Sequence, residues 1–196
     1  MRAVFERVEG LPTTRCVQEA FNPAAFSFVY SFGYKPVATL LDLFSEGGTE
    51  HELPLDDAVR QMDAGSMDEL CVYDAARSGL NRRSDFAYYA RWGKIFVYRP
   101  GSEIRGFLVG LPGSAWVQLG PLVAEREEEA EALFRHAVAV FPRRGFRTRV
   151  MARDRSLVQT LLSLSFKTYC IDLLMVRGLW QPGRCVEAFG IFPEGT

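Results

Sequence analysis

Apolar positions along the chain change their spacing at turn-forming residues, and each change marks an element. Residues Thr13 to Ala20, TTRCVQEA, alternate as a strand does, with Cys16 among polar neighbours. In the pair that follows, Asn22 is a good N-cap and Pro23 falls at the first helical position, where its missing N–H costs nothing. Ala25, Phe28, Val29 and Phe32 then recur at helical spacing until Gly33 closes the helix. After Pro36, VATLLDLF is apolar enough for a buried strand, and SEGGTEHELPLDD breaks it with glycine, proline and charge. The order is strand, helix, strand, linker.

A second series begins at Ser66, which with Glu69 three residues later has the pattern of a capping box and turns Met67, Leu70 and Cys71 inward. Another helix is predicted from Ser84 to Trp92, with Gly93 ending it. KIFVYRP and EIRGFLVGL, joined at Gly101-Ser102, read as a hairpin. SAWVQLGPLVA is a long strand whose Gly120-Pro121 pair predicts a bulge or splay. Ala130, Leu133, Phe134, Ala137, Val138 and Phe141 mark a helix stopped by Pro142, with Glu131 four residues before Arg135. FRTRVMA, SLVQTLLSL, TYCIDLLMV and VEAFGIF then read as strand, helix, strand and short strand.

Two of these stretches echo each other. Laying Thr13–Phe44 over Gly145–Val176 without a gap pairs Arg15 with Arg147, Ala20 with Ala152, Lys35 with Lys167 and Leu41 with Leu173, while Phe32 meets Leu164 and Tyr34 meets Phe166. Both run from an alternating strand through a short helix into an apolar strand, which points to a duplication.

Composition narrows the classes. The chain has 196 residues, enough for one substantial core, with 48% hydrophobic and 24% charged positions, so it is neither disordered nor fibrous. Lys+Arg 23 against Asp+Glu 24 leaves no basic surplus for nucleic acid. Cys16, Cys71, Cys170 and Cys185 form no C-x-x-C pair, so neither a zinc site nor a disulfide framework is indicated, and a cytoplasmic protein with reduced thiols is expected. No apolar run approaches the roughly 20 residues that span a bilayer.

The unit Asn22 to Tyr34 resembles the last helix of the GNAT superfamily of acyl-CoA-dependent N-acetyltransferases. The order of elements from about Arg60 onward resembles one whole GNAT domain. YDAARSGLNRRSDF, VQLGPLVAE and SFKTYCIDLLMVRG look like the second half of bacterial tandem-GNAT proteins. The resemblance implies an α+β fold with a mixed, mostly antiparallel sheet flanked by helices. It divides the chain into a partial strand-helix-strand unit at 1–48, a linker at 49–59 and a complete unit at 60–196. The partial unit is read as the remnant of a sibling whose earlier part is absent; it either docks on the complete unit or completes its packing against another chain, which makes a homodimer an open expectation.

In that family pantetheine lies in a V-shaped cleft against a central strand, and the diphosphate rests on a Gly-rich loop opening the next helix. The resemblance therefore assigns Leu122, Val123 and Ala124 to backbone contacts with acetyl-CoA and leaves Arg126 as a phosphate contact. The loop itself departs from the family: Ala124-Glu125-Arg126-Glu127-Glu128-Glu129 has no glycine and repels phosphate; Glu127 to Glu129 also read as ordinary first-turn acids. The tyrosine acid of the family falls on Val29 or Leu161, neither of which can give a proton. Glu103, Gln118 and Glu125 border the site, with Glu103 and Glu125 as candidate bases. Asp74, Arg77, Arg82 and Arg83 form a polar group between two helices, where the family shapes its acceptor pocket, so Asp74, Arg82 and Arg83 are candidates for substrate or for a structural ion-pair network. His51, His136, Trp92, Trp116 and Trp180 receive no role. Two functions stay open: an acetyltransferase acting on the primary amine of a small molecule or amino acid, without a metal, or a binding and scaffolding module that has lost its diphosphate loop.

Overall fold

The computed structural model describes residues 10–47, 53–179 and 185–190. Among these residues nine strands form one sheet: β1 (Thr13–Glu19), β2 (Lys35–Ser45), β3 (Val59–Gln61), β4 (Lys94–Tyr98), β5 (Gly106–Pro112), β6 (Trp116–Ala124), β7 (Gly145–Met151), β8 (Lys167–Gly178) and β9 (Val186–Phe189). The α-helices are α1 (Pro23–Ser31), α2 (Met67–Ser78), α3 (Arg83–Trp92), α4 (Glu127–Val140) and α5 (Arg155–Ser163). The sheet runs β1-β8-β2-β7-β9-β6-β5-β4-β3. Its pairings are antiparallel except for a short parallel match of β6 with β7. His51 and Trp180 lie outside the described residues, as does part of the stretch read as a linker; Val59 opens β3.

Alternation along β5 explains the layers. Leu108 packs with Leu133, Phe134, Leu157 and Leu161 beneath α4 and α5. Its neighbours Phe107 and Val109 point the other way, onto Leu70, Phe86 and Tyr89 of α2 and α3. Asn22 caps α1 as its position demands, its Oδ1 accepting from Ala25 N at 3.0 Å. Ser66 does not cap α2 through its side chain. Asp63 instead caps the short 3-10 turn Ala64–Ser66 that leads into α2, its Oδ1 accepting from Ser66 N at 3.0 Å and from Ser66 Oγ at 3.1 Å, which turns the Ser66 hydroxyl away from the α2 amides.

The repeat carries through to hydrogen-bond register. Adding 132 to the bounds of β1, α1 and β2 returns β7, α5 and β8, which runs one residue further. Thr14 pairs with Arg177, and the shifted residues, Phe146 and Ser45, also pair; Glu19 pairs with Asp172, and so do Met151 and Leu40. Between β2 and β8 the register maps onto itself about the pair Leu40–Asp172, so a local two-fold axis passes there. Both copies put a left-handed residue after the helix, Gly33 at φ 83° and Ser165 at φ 64°. β2 lies between β7 and β8, so the N-terminal copy supplies a central strand of the sheet.

Candidate functional site

β6 and β7 meet at Trp116–Gln118 against Gly145–Arg147 and then part. The parting begins at Gly120-Pro121: the β5–β6 register shifts between Leu108 and Gly110, leaving Gly120 and Pro121 as the bulge read from the sequence. Into the gap goes β9. Val186, Glu187 and Ala188 pair with Ala124, Val123 and Leu122, and on the other wall Ala188 and Phe189 pair with Val150 and Arg149. Where the family resemblance places pantetheine, the chain places its own strand. Gly120 makes this seat feasible, since at φ 139° a side chain is strained and a Cβ would overlap the backbone nitrogen of Gly190.

The start of α4 is occupied in the same way. Glu129 is buried, and its Oε2 accepts from Glu125 N at 3.1 Å and Arg126 N at 3.2 Å. Its other oxygen meets Arg105 Nη2 at 2.6 Å. Burial raises the Glu129 pKa, while Arg105 and the amides oppose the rise. An arginine side chain has no acceptor for an amide, so only the glutamate half of a capping box forms at Arg126. Glu127 accepts from Leu157 N at 3.0 Å, capping α5, and Glu125 lies between Arg77 and Arg105. Two of the glutamates expected to be ordinary first-turn acids thus hold specific amides. A cavity of about 430 Å³ remains beside them, lined by Ala76, Arg77, Glu125, Arg126 and Cys185.

The polar group between α2 and α3 is divided. Asp74 is fully buried, with Arg82 Nη1 at 3.0 Å and Ser78 Oγ at 2.8 Å from its Oδ1, and burial raises its pKa against the pull of Arg82. Arg83 instead pairs with Asp68 at 2.7 Å on the surface, and Arg77 with Glu125. Arg82 lines a larger cavity of about 590 Å³ together with Arg15, Cys16, Leu174, Asp85 and Tyr89, bounded by Pro121 and Phe189. Burial holds the Cys16 pKa up, keeping it a neutral thiol.

Glu103 is exposed in the turn between β4 and β5, and Glu125 is engaged by two guanidiniums. Tyr30 and Tyr169 are exposed, the latter beneath Arg147 at 4.9 Å. His136 packs edge-on against Phe96, and burial lowers its pKa. Asp42, Cys170 and Asp172 bring their ligand atoms within 4.8 Å of one another, but Arg147 and Arg149 already hold both carboxylates. Sequence reading did not single out β9 as the filler of the cleft, nor Glu129, Tyr89 and Arg15. Arg15 carried a signal, its match to Arg147 in the repeat.

Comparisons with known proteins identify the family and the fold. A family model described as an acetyltransferase (GNAT) domain matches residues 70–189. No curated protein matches the chain. Among solved structures, a Pyrococcus horikoshii protein described as an acetyltransferase superposes with a TM-score of 0.71 at 14% identity, over 99% of this chain and 64% of that one. An N-acetyltransferase of Sphaerobacter thermophilus gives 0.56 at 15% identity, over 86% of this chain and 62% of its own. A Novosphingobium aromaticivorans protein described as a GNAT-family acetyltransferase gives 0.55 at 15% identity, over 76% and 69%. This chain thus spans less than two thirds of the first and second of these three. At such identities the likeness shows the fold, whereas the family model spans more than half of the chain: the chain belongs to the GNAT acetyltransferase family.

Proposed function

We propose that the chain is a GNAT unit that binds a small molecule, a primary amine or amino acid, in the 590 Å³ cavity beside α2 and α3, with its acyl-CoA cleft closed by its own strand. The observation that carries this reading is the pairing of β9 with both walls of the cleft. Acetyl-CoA does not fit this arrangement. Pantetheine needs the edge groups that Leu122, Val123 and Ala124 give to β9, and a diphosphate would meet amides already donated to Glu129. A cavity of this size is ordinary for a small ligand, and exposed Asp85 offers it a carboxylate for an ammonium group. In this reading residues 1–48 are the remnant of a second GNAT unit and 60–196 the main one. The free thiols accord with a cytoplasmic setting. Among the described residues β1 is an outer strand, which favours pairing between two copies, and sedimentation measures that.

Calorimetric titration of the full chain with acetyl-CoA and desulfo-CoA tests the reading. No saturable heat is expected, and one-to-one micromolar binding would overturn it. A second reading, acetyl transfer to the bound amine, is favoured by the cavity that keeps Arg77 and Arg126 at the start of α4. It requires β9 to leave. Release of CoA thiol in the presence of an amine would establish it.

A further inference from the structure

The two copies of the repeat share an arginine, Arg15 and Arg147, but not the residue that faces it. In the C-terminal copy Arg147 donates from Nε to Asp42 Oδ1 at 3.2 Å and from Nη2 to Asp42 Oδ2 at 2.9 Å, a two-point contact between a guanidinium and a carboxylate. The two-fold relation carries Arg147 onto Arg15 and Asp42 onto Leu174, since each pair is separated by 132 positions and the registers of β2–β7 and β1–β8 coincide. Arg15 therefore keeps the guanidinium of its twin but faces Leu174 where the twin has the carboxylate of Asp42. Its Nε and Nη1 are buried with no hydrogen-bond partner. Nη2 donates to Ser78 O at 3.3 Å, and Glu187 Oε1 makes an ion pair with Nη1 at 3.6 Å without a hydrogen bond.

Orphaned donors of this kind are costly unless something accepts from them. Arg15 and Leu174 both line the 590 Å³ cavity, so the place where the twin has Asp42 opens onto a space large enough for a ligand. The rest of the lining is mostly apolar, including Val17, Leu80, Leu179 and Phe189, with Arg82 as a second cation.

We propose that this cavity binds a small carboxylate with an apolar body, and that the ligand's carboxylate takes at Arg15 the part that Asp42 takes at Arg147. The proposal rests on the reading of this cavity as the ligand site and makes the carboxylate, which an amino acid carries and a simple primary amine does not, the group that is recognised. It does not depend on acyl-CoA. Asp85 on the cavity wall and buried Glu187 set the opposing charge, so a purely dianionic ligand is disfavoured while a monocarboxylate or a zwitterion is accommodated.

The experiment compares 3-phenylpropanoate, its neutral amide, 3-phenylpropanamide, and 3-phenylpropylamine by calorimetry and thermal shift on the full chain. The carboxylate is expected to bind and raise the melting temperature, with the amide at least about tenfold weaker. Arg15→Met should remove carboxylate binding. Leu174→Asp should do the same by restoring the twin's internal partner, and circular dichroism confirms that each variant is folded. Equal binding of carboxylate and amide, undiminished carboxylate binding by a folded Arg15→Met or Leu174→Asp chain, or no binding of the carboxylate to the wild type would overturn the proposal. Binding of the amine alone would retain the ligand site and remove the carboxylate from it.

Discussion

Asp154 and Ser165 stand where the N-terminal copy of the repeat has Asn22 and Gly33, and both substitutions work against the fold. Asp154 is buried, its Oδ2 has no hydrogen-bond partner, and burial, with Glu127 and Glu187 nearby, pushes its pKa up to about 6 against the pull of Arg153. Its unfolded pKa is lower, so the folded state takes up the proton first. The penalty is therefore full above about pH 6 and fades as the pH falls toward the unfolded value. Asp154→Asn should raise stability at pH 8 by about 1–2 kcal/mol and by little at pH 4, measured by melting temperature across that range. Ser165 adopts φ 64°, which glycine takes without strain. Ser165→Gly is expected to add about 0.5–1 kcal/mol in urea denaturation. Their N-terminal counterparts, Asn22 and Gly33, were legible in the sequence as an N-cap and a helix stop, because capping and left-handed turns are local.

At the scale of elements, β9 decides what the cleft can hold. Four residues pair with two diverging strands, and the seat depends on Gly120 lying against Gly190. Gly120→Ala should push Gly190 away and loosen β9. Amide exchange at Val186 to Phe189 is expected to quicken at least about tenfold, with the core of β5 unchanged. Unchanged exchange at these amides would mean that β9 does not rely on this contact. The sequence announced a short strand here and a bulge at Gly120-Pro121. Which strands β9 would join could not be read, because pairing is between residues far apart in the chain and no local pattern encodes the partner. The glutamates of the α4 turn show the same limit: helix-favouring acid was plain, whereas the use of Glu129 to close its own helix and of Glu127 to cap α5 depends on where those amides arrive.

For the whole molecule, the interleaving of β2 between β7 and β8 makes the N-terminal copy part of one cooperative sheet. Residues 1–46 supply β1, α1 and β2; removing them would leave β7 and β8 each without the strand they share and open Leu40 and Leu43 contacts in two core clusters. A chain starting at residue 47 is expected to show no cooperative urea transition and to lose its near-ultraviolet dichroism. The full chain should unfold in one step. A folded, cooperative fragment would mean that the later residues form a self-sufficient unit.

By itself the sequence determined the elements and their order, the caps at Asn22 and Gly33, the 132-residue repeat and the resemblance to the GNAT family, since propensity, periodicity and internal likeness are written in neighbouring or matching residues. Only the tertiary structure decided that β2 lies between the strands of its twin, that β9 fills the cleft, that Asp74 keeps Arg82 and loses Arg83, and that Arg15 is left without the two-point hydrogen-bonded carboxylate its counterpart holds. Each of these depends on which distant groups meet when the sheet closes. Strand pairing and burial choose those partners through the whole fold at once.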